Sequence, residues 1–430
     1  MRIIHIAAGA GGMYCGACAR DLALMRGLLA RGHEVEIVPL YTPLRDEHGG
    51  GVPVAPIHYG GINVYLQQLS HAFARLPTGL ARLIDHPRLL TWVSRFAIST
   101  RPEELGTMTV SVLAGADGRQ RAELDRLLDY LAQGARPTLV SLTNSLLSGI
   151  APALKARFDV PVFCALQGEE NFIAAMPAHH REAAQTLMRR NAQAIDRFLA
   201  PSEANRLAMA EYLALPLERI ALVRPGLDPT PFRAAVPAPA PFTVGYLSVI
   251  TPSKGLDLLL SAFARLHARH PDARLLIAGK PLDPHYWDMC RRTLIASFPA
   301  ESVEVLGEVN YEEKIALLQR CSVLAHPTRQ PESRGMVALE AQAAGVPVVA
   351  PASGIFPEML GLTGGGVLYP SGDAAGLADA LIRLADEPAQ ARALGEAGAA
   401  GVAAHFSAEG MTAALLQVSG EVMTGRTVGI

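Results

Sequence analysis

HPTRQPESRGMVALEAQAAGVPVVA, residues 326–350, decides how this chain is read. It divides into a strand end, a loop carrying Glu332, a helix carrying Glu340, and a second strand. Gly335 stands where the loop turns into the helix. Val337, Leu339, Ala341 and Ala344 supply apolar faces, and Gly345 is placed to stop the helix. Val346-Pro347-Val348-Val349-Ala350 then reads as a buried parallel strand. A helix start exposes backbone N–H groups, and here a carboxylate lies one short loop away. That arrangement suits a ligand bearing both phosphate and hydroxyl groups.

The rest of the chain sets the frame. Its 430 residues exceed one ordinary domain, so two are expected. Hydrophobic residues make up 50% and the formal net charge is −2, which fits an enzyme with large cores. The near-neutral balance argues against nucleic acid as the main partner. No apolar run has the length of a membrane span, and Met1-Arg2-Ile3-Ile4-His5-Ile6 opens as a strand rather than as a signal peptide. The five cysteines form no disulfide framework, and a reducing cytoplasm is the expected compartment.

From the amino end, residues 3–8 read as a strand, followed by Gly9-Ala10-Gly11-Gly12-Met13-Tyr14-Cys15-Gly16 and a helical stretch closing at Arg31-Gly32-His33. Residues 34–40 form the next strand. Strand, glycine-rich loop, helix, strand opens a doubly wound α/β domain. The loop lacks the dinucleotide spacing, and the second strand ends in Val38-Pro39-Leu40 with no acid to hold a ribose. Between Pro77 and Arg101, Arg82, Arg88 and Arg95 alternate with Leu80, Leu83, Leu89, Leu90, Trp92 and Phe96. Residues 78–101 therefore offer a peripheral membrane contact as one reading. The favoured one is a helical excursion packed on the domain or lining an acceptor cleft, because the charge excess is small.

Apolar strands at 138–142 and 160–166 flank a helix, and the second ends at Gln167-Gly168-Glu169-Glu170. Polar groups at that end of a parallel strand lie where open α/β sheets place ligands. Residues 229–241, rich in Pro and Ala, read as a linker region, after which the strand–helix rhythm restarts at 243–247. The expected division is a first domain over 1–232, a linker over 233–241, and a second domain over 242–406. A last helix, within 407–430, is expected to pack back on the first.

Two such domains, together with Glu332 and Glu340 in this setting, resemble the family-four retaining glycosyltransferases of the GT-B fold. Val223-Arg224-Pro225-Gly226-Leu227-Asp228 and Lys254-Gly255-Leu256-Asp257-Leu258-Leu259 are similar to further segments of that family. The amino-terminal loop resembles that of glycogen synthases, with Cys15-Gly16 where relatives have paired glycines. The resemblance implies an α/β, GT-B chain of two Rossmann-like domains facing a central cleft. It implies a nucleotide-diphosphate sugar donor held mainly by the second domain and an acceptor alcohol, still unidentified, held by the first. In that scheme Lys254 neutralises the diphosphate, and the backbone of Gly335, Met336 and Val337 meets phosphate or sugar oxygens. Glu332 holds the sugar, Glu340 the ribose, and Glu358 extends the polar wall. Gly12, Gly16 and Gln167 approach from the first domain. Lys254, Glu332 and Gln167 are the expected catalytic set. No cofactor and no metal is expected.

Two positions depart from the family pattern. Val249 stands where relatives carry an arginine five residues before the lysine, and Gln167 where they often carry a histidine. The first withdraws a charge-assisted contact, and the second cannot take a proton. A weak or regulatory sugar-nucleotide binder, or a GT-B epimerase, is therefore the alternative to a transferase. Taken singly, Glu332 and Glu340 would be ordinary helix and loop carboxylates, and Lys254 a surface lysine. His5, His33 and His326 read as structural hydrogen-bonders. Cys15 and Cys18 have the spacing of a redox or metal pair, but without a second pair they read as packing residues.

Overall fold

The computed structural model describes residues 1–9, 16–41, 51–55, 57, 102–232 and 241–427. The chain forms two compact units: Met1–Val223 with Met411–Ile430, and Arg224–Gly410. Residues 78–101 and 233–240, and with them the membrane-contact and linker expectations, lie outside the described residues, as do Gly12 and Cys15.

In unit 1, β1 (Arg2–Ala7), β2 (Glu34–Pro39), β3 (Leu139–Leu142), β4 (Val162–Ala165), β5 (Arg197–Ala200) and β6 (Ile220–Leu222) form one parallel sheet in the order β2-β1-β3-β4-β5-β6. The inner strands β3, β4 and β5 are buried along almost all of their length, as parallel strands covered by helices must be. Strand residues alternate between two cores. Ile4, Val140 and Val162 face Leu124 and Leu127 of the helix Arg121–Gln133, while Ile3, Leu139 and Phe163 face Leu22, Met25 and Leu28 of α1 (Gly16–Ala30). The last helix, Ala408–Thr427, adds Met411, Leu415 and Val418 to that second core at helical spacing. Its close approach needs Gly27, because a Cβ there would meet the Thr412 hydroxyl at 2.1 Å.

Helices that the sequence reading did not name include Pro102–Leu113, Glu169–Ala174 and Glu203–Leu213. The third carries a local signal, since the Ser202 side chain caps it by accepting from the Asn205 N–H.

In unit 2, β7 (Thr243–Leu247), β8 (Arg274–Ala278), β9 (Val303–Gly307), β10 (Val323–Ala325), β11 (Val348–Pro351) and β12 (Gly366–Tyr369) form a second parallel sheet, ordered β12-β11-β10-β7-β8-β9. Residues 224–232 belong to this unit rather than to the first. Leu227 donates to the Phe406 carbonyl at 3.0 Å and accepts from Ala408 at 3.0 Å, and Phe232 packs in the core containing Leu339 and Phe356.

Each sheet has a point where strand order reverses, the place where doubly wound sheets generally bind ligands, beyond the carboxyl ends of the strands. In unit 1 it lies between β1 and β3; in unit 2 it lies between β7 and β10.

Candidate active site

In unit 2 the two strands at the reversal each send out one charged residue. The segment after β7 reaches Lys254 through the short turn Pro252–Lys254, and the segment after β10 reaches Glu332. The Lys254 ammonium donates to Glu332 Oε1, with 26% and 22% of the two side chains still open.

Backbone geometry builds this approach. Gly255 holds φ +67°, and a Cβ on it would stand 2.0 Å from the Pro327 carbonyl oxygen. The Ser253 carbonyl accepts from the Arg329 N–H at 2.8 Å and from the Thr328 hydroxyl at 3.2 Å. The Arg329 guanidinium forks onto Asp257 at 2.8 and 2.6 Å, and the Tyr286 hydroxyl donates to the same carboxylate. On its other side the Glu332 carbonyl accepts from the Ile355 N–H at 2.8 Å. The Lys254 turn and the Glu332 loop are therefore stapled at several points, and the ion pair is held in place rather than adrift on the surface.

His326, the residue after β10, completes the group. Its Nε2 lies 3.7 Å from Glu332 Oε1, and its ring meets Phe356 edge-on with centroids 4.8 Å apart. Burial works to raise the Glu332 carboxyl, but the His326 imidazole and the Lys254 ammonium outweigh it and hold the group well below the ordinary carboxylate range.

Gly335 sits at φ +60° and starts the helix Met336–Ala343. The first backbone bond from this turn is Leu339 N–H to the Gly335 carbonyl, at 3.0 Å, so the N–H groups of Met336, Val337 and Ala338 precede the helical ladder. At the far end Gly345 N–H donates to Gln342 and Val346 N–H to Ala341, both at 2.9 Å, with Gly345 at φ +76°. That is a Schellman stop feeding β11. Glu340 is buried, and its Oε1 accepts from Lys314 at 2.7 Å. Glu358 Oε1 is held by Arg224 through Nε at 2.9 Å and Nη2 at 2.8 Å. Val249 is 39% exposed, and its carbonyl accepts from the Tyr246 hydroxyl at 3.2 Å.

The unit 1 reversal carries a different arrangement. Asp21 on α1 takes Arg20 Nη1 on Oδ1 at 2.8 Å, while Oδ2 accepts from the Thr143 hydroxyl and lies 3.0 Å from His5 Nε2. Burial alone would raise the Asp21 carboxyl, but His5, Arg20 and Thr143 lower it to about 2. Gln167 Nε2 donates to the Thr143 carbonyl and, at 3.2 Å, to its hydroxyl. The Glu169 carboxylate accepts from the Ser145 and Gln167 N–H groups, each at 2.7 Å.

The structure thus brings Lys254 and Glu332 into contact, with Gly335, Met336 and Val337 following directly along the chain. It turns Glu340 toward Lys314 and Glu358 toward Arg224. Gln167 lies in unit 1, fixed to Thr143, and Gly16 is the first residue of α1. Among the described residues no group of three His, Cys, Asp or Glu side chains is arranged to hold a metal ion. None of the described helices is long and apolar enough to cross a membrane. The sequence reading missed the Arg329–Asp257–Tyr286 brace, Lys314 and Asp21, and took His326 for a structural hydrogen-bonder; the structure places its ring 3.7 Å from Glu332. Nothing in the spacing of Arg329 and Asp257 announces their contact.

Two parallel six-stranded sheets of this order are compatible with a GT-B protein, and the comparisons supply the family. Residues 16–226 match the model of the glycosyl transferase 4-like domain, and residues 231–400 match that of glycosyl transferases group 1. The chain belongs to this family of glycosyltransferases, family four of the GT-B type, whose members move sugar from a nucleotide sugar. It is 37% identical over 168 residues to the GDP-mannose-dependent monoacylated alpha-(1-6)-phosphatidylinositol monomannoside mannosyltransferase of Corynebacterium glutamicum, a match covering 38% of this chain and 42% of that one. It is 27% identical over 387 residues to the glycogen synthase of Mycobacterium tuberculosis, covering 84% and 91%. The catalytic domain of starch synthase IV from Arabidopsis thaliana, bound to ADP and acarbose, has the same fold, with a TM-score of 0.70 at 13% identity and 99% of each chain covered.

Proposed function

We propose that this chain is a retaining hexosyltransferase that carries a hexose from a nucleoside-diphosphate donor to an acceptor hydroxyl. The observation that supports it most is the half-open Lys254–Glu332 pair at the unit 2 strand reversal, three residues before a glycine-initiated helix start. The donor diphosphate takes the Lys254 ammonium and the N–H groups of Met336 and Val337, which meet the charge that grows on the leaving group. Glu332, released from part of its ion pair, accepts hydroxyls of the hexose and orients its anomeric carbon. Glu340 takes the ribose. The scheme routes no step through a metal or cofactor. Gln167, at the carboxyl edge of the unit 1 sheet, is assigned to the acceptor side. The glycogen synthase and mannosyltransferase relatives support a glycan or lipid-linked alcohol as acceptor class.

The test is direct. Purified protein is offered UDP-, GDP- and ADP-hexoses, and slow donor hydrolysis without acceptor is followed by NMR, which also reads the anomeric configuration of any product. Retained configuration and turnover of at least one donor are expected. A panel that neither binds nor turns over sinks the proposal. The uncharged, exposed Val249 favours one second reading, a donor binder without rapid transfer. Turnover at an ordinary enzyme rate, about 1 per second or faster, excludes it.

A further inference from the structure

Lys314 lies on the helix Tyr311–Arg320, whose first turn is fixed by a capping box: Asn310 accepts from the Glu313 N–H at 2.9 Å, and Glu313 accepts from the Asn310 N–H at 2.8 Å. From that anchored turn its ammonium reaches Glu340 at 2.7 Å, with 3% and 4% of the two side chains open. The same ammonium stands 4.8 Å from the centre of the Tyr311 ring and 5.8 Å from that of Phe232. Burying such a pair costs desolvation of both ions, and apolar residues of similar volume commonly serve stability as well or better. The Phe232 and Tyr311 rings beside the ammonium already supply an apolar setting that would suit such a replacement. The pair therefore calls for a use beyond stability.

Glu340 is the fifth residue of its helix, on the same face as Met336 and about one turn, roughly 6 Å, below the helix start. That is the reach from a phosphate at the helix start to the sugar of the same nucleotide. With so little of Glu340 open, a ligand meets an edge of the carboxylate rather than a face. The rotamer then decides whether an oxygen is reachable at all.

We infer that Lys314 is the positioning residue for Glu340: by supplying its counter-charge and fixing its rotamer, it sets the recognition of the donor's ribose hydroxyls. This rests on the sugar-nucleotide reading above. Affinities of UDP, GDP and ADP and of their 2′,3′-dideoxy counterparts are measured by calorimetry for the wild type, Lys314→Met and Lys314→Arg, with melting curves alongside. The wild type is expected to prefer the ribo form of its nucleotide by ~10-fold or more, as for hydrogen bonds to a charged group. Lys314→Met is expected to bring that preference within about 2-fold, and Lys314→Arg to restore most of it. A merely structural lysine would change the melting point and leave the ribo-to-dideoxy ratio alone. That unchanged ratio overturns the inference, as does a wild type that makes no distinction between the two forms. Should Lys314→Met fail to fold, Lys314→Gln is read by the same ratio. If none of the three diphosphates binds the wild type, the sugar-nucleotide reading itself falls, and this inference with it.

Discussion

At the strand reversal of unit 1, His5, Asp21 and Arg20 keep 0%, 2% and 6% of their side chains open, while at that of unit 2 Lys254 and Glu332 keep 26% and 22%. Both places are strand-order reversals, where doubly wound sheets generally bind ligands, and both hold a carboxylate pushed below its ordinary range by its neighbours. The difference lies in who the partners are. Asp21 is partnered by Arg20, Thr143 and His5. A ligand wanting that carboxylate would have to strip buried contacts, and uncompensated buried charge is expensive. Lys254 and Glu332 keep part of their surface in water, so under the proposed function a phosphate or hydroxyl reaches them without stripping a fully buried network. One reversal is closed on itself; the other is the one left partly open.

Breaking the partly open pair is expected to have the largest effect. Glu332→Gln or Lys254→Ala should lower kcat by ~100-fold or more, as removal of a charge-stabilising group does. Both variants should lose on the order of 1 to 2 kcal/mol of stability, less than a fully buried pair would, since this one is still partly solvated. Turnover of the best donor and a denaturant melt on the same samples check both halves. Equal losses in the two measurements would mean that the pair is structural, and the contrast between the reversals would disappear.

Asp21→Asn is the mirror experiment, and its effect should fall on stability. It removes one partner from a buried charge network, at a cost on the order of 3 kcal/mol. The pH dependence has a fixed sign. The Asp21 carboxyl is lowered from 3.8 to about 2 on folding, so its contribution is complete above pH 3.8 and is lost as the pH falls toward 2. That window corresponds to about 2 kcal/mol. Urea melts at pH 5, 3 and 2 should show the slope in the wild type and a flatter profile in the variant. Identical profiles would remove Asp21 from the account.

Gln167 lies on the border between the two kinds of site, because its amide is bonded to the buried Thr143 while it stands at the sheet's carboxyl edge. Gln167→Ala should cost about 1 kcal/mol of stability for the lost hydrogen bonds. If the side chain also serves the acceptor, the acceptor KM rises while donor hydrolysis without acceptor stays within a factor of about two. A rise in neither would make Gln167 part of the scaffold alone.

Much of this contrast was legible from the chain. Residues 326–350 announced loop, helix and strand because Gly335 and Gly345 mark both helix ends, and both glycines hold positive φ. The two sheets followed from apolar runs too uniform for one-sided strands. What sequence did not reveal is which charged residues would pair. The Arg329–Asp257 brace and the Lys314–Glu340 pair join residues 72 and 26 positions apart, and such contacts depend on how strands are ordered rather than on local pattern. Asp21 was hidden differently: it looks like a solvated residue on a first helix until β1 and β3 close around it. Where the units divide depends likewise on distant contacts: the backbone of Leu227 is bonded to Phe406 and Ala408, a pairing that no local composition marks.

The smallest effect concerns Val249. It follows β7 and precedes Lys254 by five residues, in the segment that carries the unit 2 cation to Glu332. Its side chain is open and its carbonyl is already satisfied by Tyr246, so an arginine there leaves the turn intact. Val249→Arg should tighten nucleoside-diphosphate binding by roughly 3- to 10-fold at low salt, the range of one charge-assisted contact that remains partly solvated. The gain should fade as the salt approaches 1 M, where screening acts within about 3 Å. Titrations of the same diphosphate at low and high salt separate this from a packing effect, which salt would leave unchanged. A tighter donor with unchanged kcat means that the second cation serves binding alone. If kcat rises as well, the native valine leaves the leaving group under-neutralised in the transition state, and the partly open reversal of unit 2 is tuned below its chemical capacity.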